Sequence, residues 1–557
     1  MVFAESTMRT HPMKKLSVVL TLLAFLVAPN AHAQMGGLHI LGTGELQTPA
    51  APQASQAPPA SPASTALPAV PAISGFVLRH IIIDGASSVA PATLRSAWTP
   101  AIGHPVNAMD ISIILQRIGI LEGKTGIALY TVSLPHQIIA NGIVHVRITE
   151  ISVVHVIITG KTDHQKLGLM QAYAKNILRS RPLLRSVLER NILLMGDLAG
   201  AKVGSQFVPV PGHPDAVQLV LAIETQNIFG GFALNNQGTP LLDNTQSVFN
   251  AGVNNLFHEG ERTQLVLGLP LDVRRYQYYG INDIEPLNSD GLSLSLSAGK
   301  LVSNPVDDGT AGRAQLLGAQ LSYPLIRAVH RNLDLTGGFD AINSDNAFLG
   351  TTISDERTRA LRFAVSYNDD QYFKGINHAS ATVSEGLNIF GARQASPAYG
   401  PPSFTKGNFN VERLQVLPYG LALRLAAIGQ FTDDRLPPSE EFDYGGPDYG
   451  QAFTAAELSG DEGVAGVIQL AHLVPAAYLP KQLAGSSIFV LTDYGRIWNR
   501  DYPPEPTDRG ASFAAGVKIL VIGKFTLELG AATPIIKPEY VSSNEHWRFI
   551  LSTAGHF

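Results

Sequence analysis

The 557-residue chain contains no cysteine. That excludes disulfide staples and leaves a protein of this length to be held by a large apolar core or by backbone pairing. Charge of one sign is also missing: 40 basic and 45 acidic residues give a formal net charge of -5, so no basic surface for nucleic acid is implied. Beyond Leu16–Val27, which is too short for a convincing spanning helix, no stretch offers about 18 unbroken apolar residues, and the mature chain has no helical membrane anchor. Catalytic signatures are equally thin. There is no Gly-x-Ser-x-Gly elbow, and the 16 histidines are scattered with no His-x-x-x-His pair beside a glutamate, so no metal site is expected. Gly123-Lys124-Thr125 imitates the end of a phosphate-binding loop, but Ile118 stands where the first glycine is required and the segment follows a helix, so it reads as a turn. Asp369-Asp370 and Asp433-Asp434 could hold a cation in surface loops but read better as solvated turn carboxylates. No catalytic residue and no cofactor is expected.

What is present points to the cell envelope. Lys14 and Lys15 precede the apolar run, and Ala31-His32-Ala33 supplies the small-residue pattern of an export signal, residues 1–33, with cleavage before Gln34. At the other end Trp547, Phe549, Leu551, Thr553, Gly555 and Phe557 occupy every second position. Read as a strand, they put bulky apolar residues on one face and His546, Arg548, Ser552 and His556 mostly on the other. Such an ending after an export signal marks a bacterial outer-membrane barrel, and Trp547, Phe549, Leu551 and Phe557 are candidates for its membrane-insertion signal.

Three regions follow the signal. Residues 34–75 are an N-terminal segment and linker. From Thr48 to Ser74 the chain is nearly all Pro, Ala, Ser, Gln and Thr, too poor in apolar area to offset chain entropy, and in a polyproline-like state it could span roughly 80 Å. From Phe76 to Glu224 helices and strands mix. Val77–Asp84 predicts a strand, Pro91–Trp98 a short helix, and Asn107–Leu121 a helix. Ile127–Leu134 and Ile143–Ile158 predict strands, the second long enough to bend or to serve as two. The pattern partly repeats with amphipathic Pro182–Met195 and a strand pair, Ala201–Val210 with Val217–Glu224. Two tandem α+β modules, 76–160 and 161–225, are the economical reading.

From Gln226 onward strand follows strand. Thr263, Leu265, Leu267 and Leu269 alternate with other residues, Leu292, Leu294 and Leu296 with serines, and Leu421, Leu423 and Leu425 flank Arg424. Apolar outside and polar inside is the dyad of a water-filled membrane barrel, although a soluble β-sandwich gives the same alternation with its faces exchanged. About 330 residues at roughly 20 per strand and turn accommodate about 16 strands in 226–557.

Several motifs then resemble a known family. Leu134-Pro135-His136-Gln137 followed by Asn141-Gly142-Ile143 is similar to the signature of the first polypeptide-transport-associated (POTRA) domain in two-partner secretion translocases, the hemolysin secretion/activation family. Leu188-Glu189-Arg190 and Leu193 to Gly200 are similar to that family's second-module helix and turn, with Ala199 where proline is usual. Gly230 to Gly238 resembles its first barrel strand, with Asn235 at the usual aspartate, and Asn254 to Phe257 with Gly260-Glu261 its next hairpin. Phe442 to Phe453 lies where relatives carry Gly-Gly and an Arg-Gly-Tyr/Phe motif on a loop folded into the pore, near 442–460. Gly445 and Gly446 are kept, but Gln451-Ala452-Phe453 lacks the arginine. Phe489 to Gly495 matches the strand whose aspartate, here Asp493, pairs with that arginine in relatives. A neutral glutamine amide could still donate to the carboxylate but would hold it less firmly. Alternatively Arg496 or Lys518 neutralises Asp493.

The resemblance implies α+β periplasmic POTRA modules followed by a transmembrane antiparallel β-barrel of about 16 strands, in the cell outer membrane. It implies a secreted partner polypeptide, a large β-helical exoprotein, bound through residues such as Leu134, Pro135, Gln137, Gly142, Glu189 and Arg190 and passed through the pore without ATP. The remaining partners would be outer-membrane lipid and the barrel-assembly machinery that inserts the chain. The family's plug helix is doubtful here, because Gln34–Gln47 is glycine-rich and glycine costs about 1 kcal/mol per helix position. Candidate partner-binding edges are Ile127–Leu134 and Ile143–Val156. An outer-membrane assembly factor of the same superfamily and a porin-like channel are the competing readings.

Overall fold

The computed structural model describes residues 75–557 apart from 86, 162–166, 241, 306–308, 349–350, 397–398, 501–506 and 539–546. The expected export signal, Gln34–Gln47 and the linker up to Ser74 lie outside the described residues. Two compact units change over near Gln226.

In the N-terminal unit, Asn107 starts the helix Ala108–Gly123 by accepting the N–H groups of Met109 and Asp110, while Asp110 returns a bond to the Asn107 N–H. This reciprocal cap satisfies donors that the first helical turn leaves free. Ile111, Ile114, Leu115 and Ile118 form its buried face and pack against Leu78, Ile81, Val144, Val146 and Ile148. The sheet beneath places Ile143–Glu150 at its centre, parallel to His80–Asp84 and antiparallel to Tyr130–Ser133.

The second half repeats the plan. His213–Thr225 is central, parallel to Ser152–Lys161 and antiparallel to Ala201–Val210. The helices Gly168–Arg179 and Arg185–Asp197 supply Tyr173, Ile177, Leu188, Ile192 and Met195 to a core with Leu219, Leu221 and Ile223. The long predicted strand Ile143–Ile158 is therefore two strands in two sheets, parted at Ile151. Backbone bonds across this joint, Ala128 N–H to Leu183 O at 2.7 Å and Arg185 N–H to Gly126 O at 2.7 Å, tie the halves together. The helix Gly168–Arg179 was not expected from the sequence. It buries only Met170, Tyr173, Ala174 and Ile177 and has no side-chain cap to announce its start.

The barrel unit is a closed antiparallel sheet of sixteen long strands, from Ile228–Asn235 to Arg548–His556, with a two-residue strand, Arg393–Gln394, added beside Glu356 and Arg357. The closing pair is short, running only from Ser552 against Asn235 to His556 against Gly231. Side chain and backbone extend it at both ends. The Asn236 amide donates to Phe549 O and accepts from the Leu551 N–H, both at 2.9 Å, and Gly230 and Phe557 exchange backbone bonds. Leu265, Ile281, Leu296, Phe363, Val383, Phe431 and Val490 are exposed on the outside, whereas Asp340, Glu356, Arg424, Gln430, Asp493 and Ser512 are buried inside. A sandwich would bury the first set, so the faces decide for a barrel in lipid. Trp547, Phe549, Leu551 and Phe557 join that outward surface, Phe549 being 76% exposed.

Two neighbouring strands, Arg331–Phe348 and Thr351–Asp369, have 18 and 19 residues, where about 9–11 suffice to cross the bilayer. Toward their far ends the outward face is charged, with Arg357 bonded to Asp345 at 2.8 Å and to Asp355 at 3.0 Å.

Candidate functional site: a loop folded into the barrel

The connection between Leu421–Thr432 and Glu462–Leu473 runs into the barrel as a short hairpin, Phe442–Tyr444 paired with Leu458–Gly460. Its turn depends on glycine. Gly445 and Gly446 have φ of +122° and +113°, and a Cβ on Gly445 would lie 2.2 Å from Thr454 O. Backbone bonds from Gly445 to Tyr449, Gly446 to Gly450 and Phe453 to Gly450 close the tip into a knot. Tyr444 and Phe453 are buried with ring centroids 5.9 Å apart. Ala452 and Tyr449 rest on an apolar patch of the barrel interior formed by Val467, Phe489, Leu491, Ala514 and Ile550. The lumen is thus polar in general but dry where the loop sits.

Asp493 lies under this tip, 3% exposed. Its Oδ1 accepts the Tyr444 hydroxyl at 2.6 Å, and its Oδ2 accepts the Ser512 hydroxyl at 2.6 Å and the Gln451 N–H at 3.3 Å. The Gln451 side chain does not reach it. That amide donates to Pro447 O at 3.0 Å, and its Oε1 is buried with no hydrogen-bond partner among the described residues. Nor do the two expected cations reach it. Arg496 stacks on Trp498 at 5.0 Å on the outward face, and Lys518 stands opposite Ser487, six residues along its strand from Ser512, the register partner of Asp493. Among the described residues Asp493 has no ion pair. Its carboxylate is held by neutral donors, each worth less than a charge-assisted fork. Gly495 makes room for the contact, since a Cβ there would lie 2.1 Å from the Tyr444 ring. Arg548 of the last strand donates to Phe453 O and, at 3.1 Å, to Gly238 O.

A second contact, at the neck of the loop, was not foreseen from the sequence. Glu440 is 1% exposed. Arg362 grips its two oxygens at 2.7 and 3.1 Å, and Lys406 Nζ lies 2.8 Å from Oε2 and 2.7 Å from the Glu440 carbonyl. Arg362 also donates to Asp340 at 2.6 Å and to the Ser384 hydroxyl at 2.9 Å. Gln430 donates to Glu440 O and Asp461 O, both at 2.9 Å. Beside it Ser439 donates to Glu356. Two cations of the wall, the buried Lys406 and the partly exposed Arg362, thus meet the buried carboxylates of Asp340 on the wall and Glu440 on the loop, with buried Glu356 beside them.

In the N-terminal unit the predicted partner-binding residues are engaged within their own modules. The Gln137 amide behaves like a strand backbone, donating to His145 O at 2.7 Å and accepting from its N–H at 2.8 Å. Pro135 O also accepts from it, at 3.3 Å, and Leu134 packs on the core. Gly142 has φ +72°, and a Cβ there would lie 2.2 Å from Val77 O. Glu189 and Arg190 lie half-buried on the helix Arg185–Asp197. The expected edge from Ile143 is corrected: Ile143–Glu150 is paired on both sides, so its backbone is already used. Among the described residues the edge strands are Tyr130–Ser133 and His80–Asp84 in the first sheet, and Ser152–Lys161 and Ala201–Val210 in the second.

One group went unnoticed in the sequence. Ligand atoms of His258, Glu261 and Glu285 lie within 4.8 Å of one another. Glu261 is occupied there as a turn cap, accepting the N–H groups of Phe257 and His258 at 2.6 and 2.9 Å.

A lipid-facing barrel whose polar lumen holds a folded-in loop, preceded by two α+β modules, defines an outer-membrane transporter of the POTRA and barrel type. Residues 217–519 match the family described as haemolysin secretion/activation protein ShlB/FhaC/HecB, and the chain belongs to that family. It is 21% identical over 453 residues to the heme/hemopexin transporter protein HuxB of Haemophilus influenzae strain 86-028NP, covering 78% of this chain and 79% of that one. In fold it is similar to CdiB from Escherichia coli, with a TM-score of 0.69 at 16% identity over 91% of this chain and 95% of the other. It is also similar to BamA from Haemophilus ducreyi lacking POTRA domains 1–3, with a TM-score of 0.52 at 13% identity over 86% of this chain and all of the other. The protein is a two-partner secretion transporter of the outer membrane, with its N-terminal region in the periplasm and a secreted protein as its partner.

Proposed function

We propose that the edge strands Tyr130–Ser133 and Ser152–Lys161 capture extended segments of an unfolded secreted partner in the periplasm. Main-chain hydrogen bonds there give affinity with little sequence demand. The captured chain threads the barrel when the loop tip leaves Asp493, and folding outside prevents its return, so that no ATP is used. The partner is a large β-helical exoprotein, and the alternating last strand from Trp547 to Phe557 is what the barrel-assembly machinery reads on insertion. Gly445, Gly446, Gln451, Ala452, Phe453, Asp493 and Gly495 act together as the gate.

The observation that supports this most is the neutral hold of the tip on Asp493: where the segment lies deepest in the lumen, its contact with that carboxylate is made through hydrogen bonds that carry no opposing charge. The absence of native cysteine makes the test direct. A Cβ at position 495 would lie 2.5 Å from Tyr444 Cγ, so cysteines at 444 and 495 would place their Cβ atoms within about 4 Å, inside disulfide range. Secretion by the Tyr444→Cys, Gly495→Cys variant should stop on oxidation and resume on reduction. Secretion that continues through the oxidised protein rules out a gate at this contact. Deleting residues 76–224 should abolish secretion while the barrel still inserts; a porin would keep its solute flux.

A further inference from the structure

We propose that Glu440 is the positioning residue of the pore loop, its carboxylate clasped by Arg362 and Lys406 so that the neck stays fixed while the neutral contact at Asp493 yields. The inference rests on the reading of this loop as the gate and adds where the gate is fastened. In relatives the resemblance places a cation on the loop tip and an anion on the wall. Here the polarity is reversed and the site has moved: the loop neck carries the anion, and the cations stand on the wall strands Thr351–Asp369 and Thr405–Val416.

The two contacts differ in kind. At the neck a buried carboxylate accepts from two cations, one of which also holds Asp340, all through short, charge-assisted bonds, while Glu356 beside them accepts from Ser439. Removing one member of such a buried set strands an uncompensated charge. At the tip the loop meets Asp493 through the Tyr444 hydroxyl and a backbone N–H, Ser512 reaching it from the wall, and Arg548 holds only the carbonyl of Phe453; losing one of these uncharged loop groups costs less. A loop under load therefore lets go at its tip first. Gln430, which donates to the carbonyls of Glu440 and Asp461 at the loop's entry and exit, holds the two ends of the neck together.

Ionic current through the purified full-length protein in planar bilayers tests this, with heat-modifiable migration confirming that each variant is a folded barrel. Glu440→Gln should raise the time-averaged current on the order of a hundredfold, as expected for breaking a buried ion pair. Tyr444→Phe should raise it less, by roughly ten- to thirtyfold, the scale of one hydrogen bond from an uncharged donor to a carboxylate. Adding Lys406→Met to Glu440→Gln restores the balance between Arg362 and Asp340 and should return the current most of the way to the unsubstituted level. A purely packing role for Glu440 predicts no such rescue, so a double variant as leaky as the single one overturns the proposal. Deletion of residues 443–458 supplies the open reference. If that deletion opens the pore while Glu440→Gln stays quiet, the anchor is wrong and the gate stands. If the deletion itself leaves the pore quiet, both fall.

Discussion

In the N-terminal unit the alternation of His213–Thr225 turns Leu219, Leu221 and Ile223 into an apolar core, whereas in the barrel the strand Leu421–Thr432 turns Leu425 and Phe431 outward and buries Arg424 and Gln430. The sequence period is the same and the sidedness is opposite. Period two specifies a strand, but which face is dry is set by what lies against it: helices in one unit, lipid in the other. The sources of stability differ accordingly. The N-terminal unit depends on burial of apolar side chains, and the barrel on a ladder of backbone bonds that closes on itself.

The sharpest way to break this comparison is to put a charge in the N-terminal core. Leu219 is fully buried, and Leu219→Asp should cost more than about 4 kcal/mol. Limited proteolysis of the full chain should then degrade the N-terminal unit while the barrel remains heat-modifiable; a barrel lost at the same time would mean the units do not fold independently. The reciprocal change, Ile281→Arg on the exposed barrel face, should destabilise only the barrel, by about 2–4 kcal/mol in denaturant titrations in lipid vesicles. An unchanged midpoint would show that Ile281 does not meet lipid. A smaller effect, about 1 kcal/mol, is expected for Asn107→Ala, which removes the cap of Ala108–Gly123; Trp98 fluorescence, with Trp498 and Trp547 replaced by Phe, would read it.

The least effect concerns Glu122, whose side chain is buried in the first module. Burial raises its carboxyl above the ordinary 4.5, opposed by the bond from Ser87 and reinforced by the negative charge of Glu150. The folded state therefore keeps this proton at pH values where the unfolded chain has lost it. That contribution favours folding below the ordinary value and fades as pH rises through the raised one. Stability of the unit should fall over that window, and Glu122→Gln should flatten the slope. A rise with pH that the substitution removes would contradict the assignment.

How much of this could be read from the residues differs between contacts. The closing strand was legible because Trp547, Phe549 and Leu551 alternate and Phe557 returns on the same face after the small residues Thr553 and Gly555, and Asp493 stood out because its neighbours Phe489 and Gly495 accompany it at fixed spacing. Tyr444 as its partner was not legible: nothing local distinguishes a hydroxyl that bonds a carboxylate from one that packs. The neck was further out of reach. Glu440 meets Arg362 across a separation of 78 residues, and inward charges are expected on any strand of a water-filled barrel, so neither partner looked unusual. The length of Ile143–Ile158 already allowed for two strands, but the place of the break was not read: Ile151 sits at the joint with backbone bonds to Leu129 and Leu183.

The paired strands Arg331–Phe348 and Thr351–Asp369 join at the end of the barrel opposite Ile228 and Phe557, the side away from the periplasm. With about eight residues more than the bilayer requires, at roughly 2.5 Å of height each for a tilted strand, the ribbon stands some 20 Å clear of the lipid. It is the natural epitope of this molecule. An antibody raised against the ribbon around Asp345, Asp355 and Arg357 would stain intact bacteria.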